Sequence, residues 1–168
     1  MLDKTLQTLY NFPIADFQTP ISEFQQLTFQ QNRCLITENL MNFLTLPPLK
    51  NSIAIFGKGY ASQLLKSVKW LQNCSIFYWG DIDEHGFKIL SQFRTYFPQT
   101  ISLMMDEETF KTFEEFIVSD PKNSTFQNLP NLTPPEQTLY SYLCLHKKRL
   151  EQERIGQNYV NQYLKNVF

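Results

Sequence analysis

Three acidic residues stand where apolar runs of the sequence end. Glu38 follows CLIT, and Asp81 and Asp83 follow IFYWG, two residues apart. In extended backbone, side chains at this spacing point to the same side, so the two aspartates could present their carboxylates together. If Glu38 ends a neighbouring strand, three carboxylates gather, and each close pair repels by about 4 kcal/mol at an effective dielectric near 20. A divalent cation or strong hydrogen bonding must then accompany them. Oxygen donors without Cys or clustered His suit Mg2+ or Mn2+ rather than Zn2+. Each residue also has a plainer reading: Glu38 as an acid complementing a helix start, and the Asp pair as turn or capping residues.

Such chemistry needs a scaffold that sets these ends side by side. RCLITEN, SIAIFG, SIFYWG and TISLMMD read as short apolar strands. Between and after them, NLMNFLTL, YASQLLKSVKWLQ, EHGFKILSQFRTYF and EETFKTFEEFIV carry helical spacing. In the third of these, Phe87, Leu90, Phe93, Arg94 and Phe97 share a face with the apolar members inward, and Asp106 is placed to cap the fourth. The alternation predicts an α/β fold with a mainly parallel four-stranded sheet, helices on both faces and further helices at the C-terminus. Ligands of such sheets gather beyond the carboxyl ends of the strands, where the three acids lie. Residues 1–30 are Gln-rich and broken by Pro13 and Pro20, and read as an irregular lead-in or the remnant of a preceding domain before the organised unit over 31–168. Thr133, Pro134 and Glu136 form a capping-box start for a helix through LYSYLCLHKKR, and the tail RLEQERIGQNYVNQYLKNVF reads as helical around Gly156.

Composition narrows the class. The chain has 168 residues, with 15 Lys and Arg against 16 Asp and Glu, so bulk electrostatics does not make it a nucleic-acid coat. Its 15 Phe exclude disorder as a general state. Four of five glycines fall between Gly57 and Gly86, concentrating the tight backbone in one place. No run approaches the roughly 20 apolar residues of a membrane helix, and the start lacks a signal-peptide pattern, which makes a soluble cytoplasmic protein the expectation. Cys34, Cys74 and Cys144 are widely spaced and read as reduced, packed thiols.

Other residues bear on an anionic substrate. Gly57, Lys58 and Gly59 could cradle a phosphate, or form a simple strand-to-helix turn; the motif lacks the pattern of a nucleotide loop. His85 could donate to a phosphate or be hydrogen-bonded in its turn. Lys66, Lys69, Arg94, Lys147, Lys148 and Arg149 are the remaining basic candidates. Phe77, Tyr78 and Trp79 read as sheet packing rather than a base-stacking platform.

Together, ITENLMNFLTLP, IAIFGKGYASQLLKSVKWL, FYWGDIDEHGFKILSQFR, SLMMDEETF, LTPPEQTLYSYL and RLEQERI resemble the C-terminal domain family of JetD, the nuclease subunit of Wadjet (MksG-like) plasmid-defence systems. The resemblance spans about residues 10 to 165 and implies a Toprim fold similar to that of the topoisomerase VI A subunit. It implies metal-dependent cleavage of DNA strands with Mg2+ or Mn2+, one or two ions. The Toprim glutamate maps to Glu38 and the DxD pair to Asp81 and Asp83, which would hold metal. Glu151 and Glu153 of the RLEQE motif become candidates to complete the centre, Glu153 as a ligand. Without the resemblance, Glu151 with Arg154 and Arg149 with Glu153 read as helix-surface ion pairs. Phosphate contacts would come from Lys58, His85 and Arg94. The implied partners are double-stranded DNA and SMC-type condensin-like subunits, with a homodimer as a further option. The family's DNA-gripping winged-helix region has no counterpart here, so the expectation is a cutting domain or fragment that borrows DNA affinity from elsewhere. The tyrosine nucleophile of topoisomerase VI belongs to a separate domain, so water is the expected nucleophile. Readings from other classes are a non-catalytic docking or oligomerisation module, and a Toprim-type RNA nuclease or primase-like enzyme.

Overall fold

A computed structural model describes residues 1–29, 32–57, 59–120 and 126–168, with the side chains of 59–62 left aside. Strands β1 (Arg33–Thr37), β2 (Ser52–Phe56), β3 (Ser75–Trp79) and β4 (Ile101–Ser102) form one sheet in the order β2-β1-β3-β4. All three pairings are parallel. The expected four-stranded α/β architecture is what the chain adopts, consistent with a Toprim-like, Rossmann-like fold. β1 and β3 are buried almost end to end, as inner strands covered by helices must be.

The helices are α1 (Lys4–Leu9), α2 (Ile21–Phe24), α3 (Leu40–Leu44), α4 (Glu84–Tyr96), α5 (Glu107–Thr112), α6 (Pro134–His146) and α7 (Gln157–Val167). On α4 the expected stripe is inward: Phe87, Leu90, Phe93 and Phe97 are buried with Tyr78 and Trp79 of β3. α6 begins as its sequence suggests, with Pro134 in the first turn and the Glu136 carboxylate accepting from the Thr133 N–H at 2.8 Å. The stretch before β1 carries α1 and α2 and is fastened to the sheet. Leu2 N–H donates to Ser52 O at 3.0 Å, and the Asp3 carboxylate accepts from Asn51 N–H at 2.6 Å.

Three local expectations are corrected. The segment around Leu64–Leu71 is not an α-helix but two 3-10 stretches, Gly59–Ser67 and Lys69–Asn73, separated at Val68. Leu65, Val68 and Leu71 are buried while Leu64 is exposed; spacing of three suits the three-residue turn, where such side chains eclipse. The fourth strand is short because Met104 adopts φ 53°, which ends the extended run after Leu103 N–H reaches Tyr78 O at 2.8 Å. The start of the tail is extended rather than α-helical as far as Glu151, and a 3-10 turn over Gln152–Arg154 follows. Lys147 takes a left-handed turn (φ 49°) that closes α6, and β6 (Lys148–Arg149) then pairs antiparallel with β5 (Val118–Ser119). Leu150 continues into a bridge with Ile82, exchanging two N–H to O bonds of 3.0 Å. Among the described residues no helix is long and apolar enough to cross a membrane.

Candidate metal centre

β1 and β3 lie in register, Thr37 opposite Trp79, so the residues that follow, Glu38 and Gly80, emerge side by side at the carboxyl edge of the sheet. The Tyr78 hydroxyl, fully buried, donates to Glu38 Oε1. Burial, then the Glu38 charge and hydrogen bond, then Asp81 and Asp83, push the Tyr78 phenol well above its usual range, so it stays protonated and can keep donating. Gly80 makes the pair possible: a Cβ there would stand 2.5 Å from Glu38 Oε1 and 3.1 Å from the Tyr78 hydroxyl oxygen.

The two aspartates do different work. Asp83 caps α4, its Oδ1 accepting from Gly86 N–H at 2.6 Å. Asp81 Oδ1 accepts instead from the backbone N–H of Gln152, at 2.7 Å. Gly86 has to be glycine, because a Cβ would overlap the Asp81 carbonyl oxygen. The first turn of α4 therefore lies directly against the backbone that carries Asp81.

The Ile82–Leu150 bridge brings the tail to this edge and sets Glu151 and Glu153 beside Asp81. Each of the three offers a carboxylate oxygen within 4.8 Å of the others. Glu38 and Asp83 are not members of that set. Asp81 is pushed up to about 6, first by burial and then by the charges of Asp83, Glu151 and Glu153, against the lowering effect of the Gln152 N–H. The cluster is only partly neutralised from within the chain: Arg149 pairs with Glu151 at 2.7 Å, and Asn39 Nδ2 donates to Glu153 at 2.7 Å. A carboxylate has about four lone-pair sites, so each of the three keeps acceptor capacity for a cation. Three hard oxygen donors with no Cys or His match Mg2+ or Mn2+.

Gln152 holds the arrangement and was not singled out by sequence reasoning. It is fully buried, and four of its polar atoms are bonded. Besides the bond to Asp81, its Oε1 accepts from Asn39 N–H at 3.1 Å, its Nε2 donates to Thr37 Oγ1 at 2.5 Å, and its carbonyl accepts from Asn42 Nδ2 at 3.0 Å. One side chain thus ties the tail to the end of β1 and the start of α3. The signal was an alternation: Leu150 and Gln152 are buried while Arg149, Glu151 and Glu153 are at least partly exposed, which is legible only if RLEQE is read as a strand end running into a tight turn rather than as an α-helix. The helix-surface ion pairs Glu151–Arg154 and Arg149–Glu153 give way to the i, i+2 pair Arg149–Glu151 for the same reason.

The remaining candidates separate. His85 is exposed in the first turn of α4, next to Asp83. Asp106 caps α5 through Thr109 N–H at 2.7 Å, as its position suggested. Lys58 lies outside the described residues. Arg94 is corrected from phosphate contact to core ion pair: it is 9% exposed, and its guanidinium donates to both Glu136 oxygens at 2.5 and 2.9 Å. Its Nε and one further bond go to Thr100 O and Asn131 O, both 3.0 Å away. Facing inward on α4, it has no route to a substrate.

No curated protein matches the chain. The family described as "Wadjet protein JetD, C-terminal" matches residues 1–164, nearly the whole length. A sheet with this topology, and an acidic edge built by a tail that returns across it, is therefore met in a chain that belongs to the JetD C-terminal family of Wadjet defence components.

Proposed function

We propose that the chain is the DNA-cleaving domain of a Wadjet complex, a Mg2+- or Mn2+-dependent endonuclease of Toprim type that hydrolyses phosphodiester bonds. The observation that carries this reading is the convergence of Asp81, Glu151 and Glu153 within 4.8 Å of one another at the carboxyl edge of a parallel sheet. These three would hold one ion; Glu38 and Asp83 are the candidates for a second. An ion held by these carboxylates would supply Lewis-acid polarisation of the phosphodiester and lower the pKa of a bound water. The chain's own contribution is positioning and proton handling. Glu38, held by Tyr78 at the same edge of the sheet, is proposed either to share that second ion or to pass a proton between the attacking water and the leaving oxygen. His85, exposed at the start of α4, and Lys58 are proposed to meet phosphate oxygens. Double-stranded DNA is the proposed substrate and SMC-type condensin-like subunits the proposed partners, with a homodimer as a further assembly.

A docking module is the competing reading. It is favoured by the capping role of Asp83 and by an apolar cleft of about 670 Å³ beside the edge strand β2, lined by residues such as Phe17, Phe24, Leu44 and Leu64. Plasmid nicking decides between them. In the purified Wadjet complex with Mn2+, the wild-type chain is expected to nick supercoiled plasmid. Asp81→Ala and Glu153→Ala are expected to lower the rate by at least about 100-fold, beyond the loss typical of residues that only support a metal ligand. Undiminished nicking by either variant would show that the acids are structural.

A further inference from the structure

Arg149 is the one basic side chain among the described residues paired with a member of the acidic set, and its bonding is incomplete. Its Nη2 meets Glu151 Oε1 at 2.7 Å, with both side chains about one-third exposed (33% and 30%). Its Nε is shielded from solvent and has no hydrogen-bond partner among the described residues. A buried donor left without an acceptor is costly, so the guanidinium is held by one bond while a second donor stays unused. Arg149 and Glu151 stand on the same side of the extended tail, two residues apart, with Leu150 between them locked to Ile82. The backbone that carries Arg149 is thereby fixed at the rim of the proposed ion site.

We propose that Arg149 binds a DNA phosphate and is released for that task when a divalent cation takes Glu151. This rests on the metal-centre reading above. Without an ion, Arg149 is the positive charge that partly offsets the three carboxylates. A cation shared by Asp81, Glu151 and Glu153 satisfies the Glu151 carboxylate and repels the guanidinium. The two non-bridging oxygens of a phosphodiester drawn to the same site then meet the planar fork of Nε and Nη in the two-bond geometry that arginine favours. Cation binding and phosphate binding are coupled through one side chain, so the DNA grip tightens only at a loaded centre.

Two opposite effects of one substitution test this. In Arg149→Gln, Mn2+ affinity in the absence of DNA, read by electron paramagnetic resonance, is expected to rise by about fivefold, the factor for removing a partly exposed ion pair that competes for Glu151. With Mn2+ present, affinity for a short duplex, read by fluorescence anisotropy before cleavage, is expected to fall. The slope of log affinity against log salt should become shallower by about one, the signature of one lost phosphate contact. Without metal the slope should not change. If the wild-type chain binds Mn2+ and Arg149→Gln leaves both the Mn2+ affinity and the metal-loaded slope unchanged, the inference fails while the metal centre stands. If the wild-type chain binds no Mn2+, the underlying reading fails and the inference with it. Should the variant not fold, the Arg149 Nε–H resonance of the wild-type chain decides: it must shift on adding duplex to the Mg2+-loaded protein and not to the metal-free one, and any other pattern overturns the proposal.

Discussion

Asp81→Asn is expected to raise the thermal midpoint of the metal-free protein at pH 7.5 by several degrees while abolishing its binding of Mn2+. The Asp81 carboxyl stands at about 6 in the folded chain, above its ordinary 3.8, because burial and then the neighbouring acids disfavour its charge. A folded state with the higher value binds more protons than the unfolded chain between those limits. Its contribution is therefore most favourable below about pH 4 and declines as pH rises to about 6, by roughly 3 kcal/mol for a shift of this size. Asparagine removes the charge and retains an oxygen to accept from the Gln152 N–H. Calorimetry at pH 4.5 and 7.5 checks both parts: the advantage of the variant should be larger at the higher pH. A cation should stabilise the wild type by an amount that grows with its concentration and leave the variant unchanged. A variant that melts lower than the wild type at pH 7.5 would mean that the Asp81 charge is compensated by a partner inside the fold. The trade is one that functional sites commonly make, since charge assembled for a ligand destabilises the protein that lacks it.

Arg94→Ala is expected to cost about 3 to 5 kcal/mol of stability, the penalty for leaving a buried carboxylate without its counter-charge. Burial pushes the Glu136 carboxyl up, but the bonds from Arg94, Ser102 and the Thr133 N–H outweigh it and hold the group below its ordinary range. The pair links α4 to the start of α6, and through Thr100 and Asn131 it also ties down the approach to β4 and the loop before α6. Because the carboxyl is held low, the stabilisation is present above the ordinary carboxylate range and is lost as pH falls through the lowered value. Urea unfolding should show a lower midpoint with an unchanged slope. Arg94→Lys should recover little, since an ammonium cannot bridge both carboxylate oxygens and two carbonyls at once. Near-native stability with weakened DNA binding would restore the phosphate-contact assignment instead.

Much of the scaffold was legible because it is written in local patterns. The apolar runs CLIT, SIAIF and SIFYW are short and bounded by turn residues, the first and last buried on both faces, and the α4 stripe has a clean helical period. The Asp106 cap and the Thr133 start depend on residues three or four apart, so they too survive without tertiary context. The errors share a different cause. TISLMMD has the composition of a strand, yet Met104 must turn so that Asp106 can start α5. The stripe Leu65, Val68, Leu71 fits a period of 3.0 as well as 3.6, and sequence does not choose between them. RLEQE was read as helical because its charges have helical spacing; the extended backbone of its first residues is set by the bridge from Leu150 to Ile82, nearly seventy residues earlier. Gln152 was invisible for the same reason, since an uncharged polar residue between two glutamates acquires meaning only once four partners from three other segments surround it. Arg94 shows the converse: its helical spacing with the apolar stripe of α4 was noted but only the apolar members were read as inward, and its burial, rather than its charge, decides what it does.

The most direct test of the proposed metal centre is anomalous diffraction from a crystal of the protein soaked in Mn2+. The predicted result is a peak bound by Asp81, Glu151 and Glu153, at the 2.0 to 2.3 Å or so typical of hard oxygen ligands, with Gln152 N–H still donating to Asp81. Full Mn2+ exposure with no peak at these three carboxylates, or with ions only elsewhere, would contradict it.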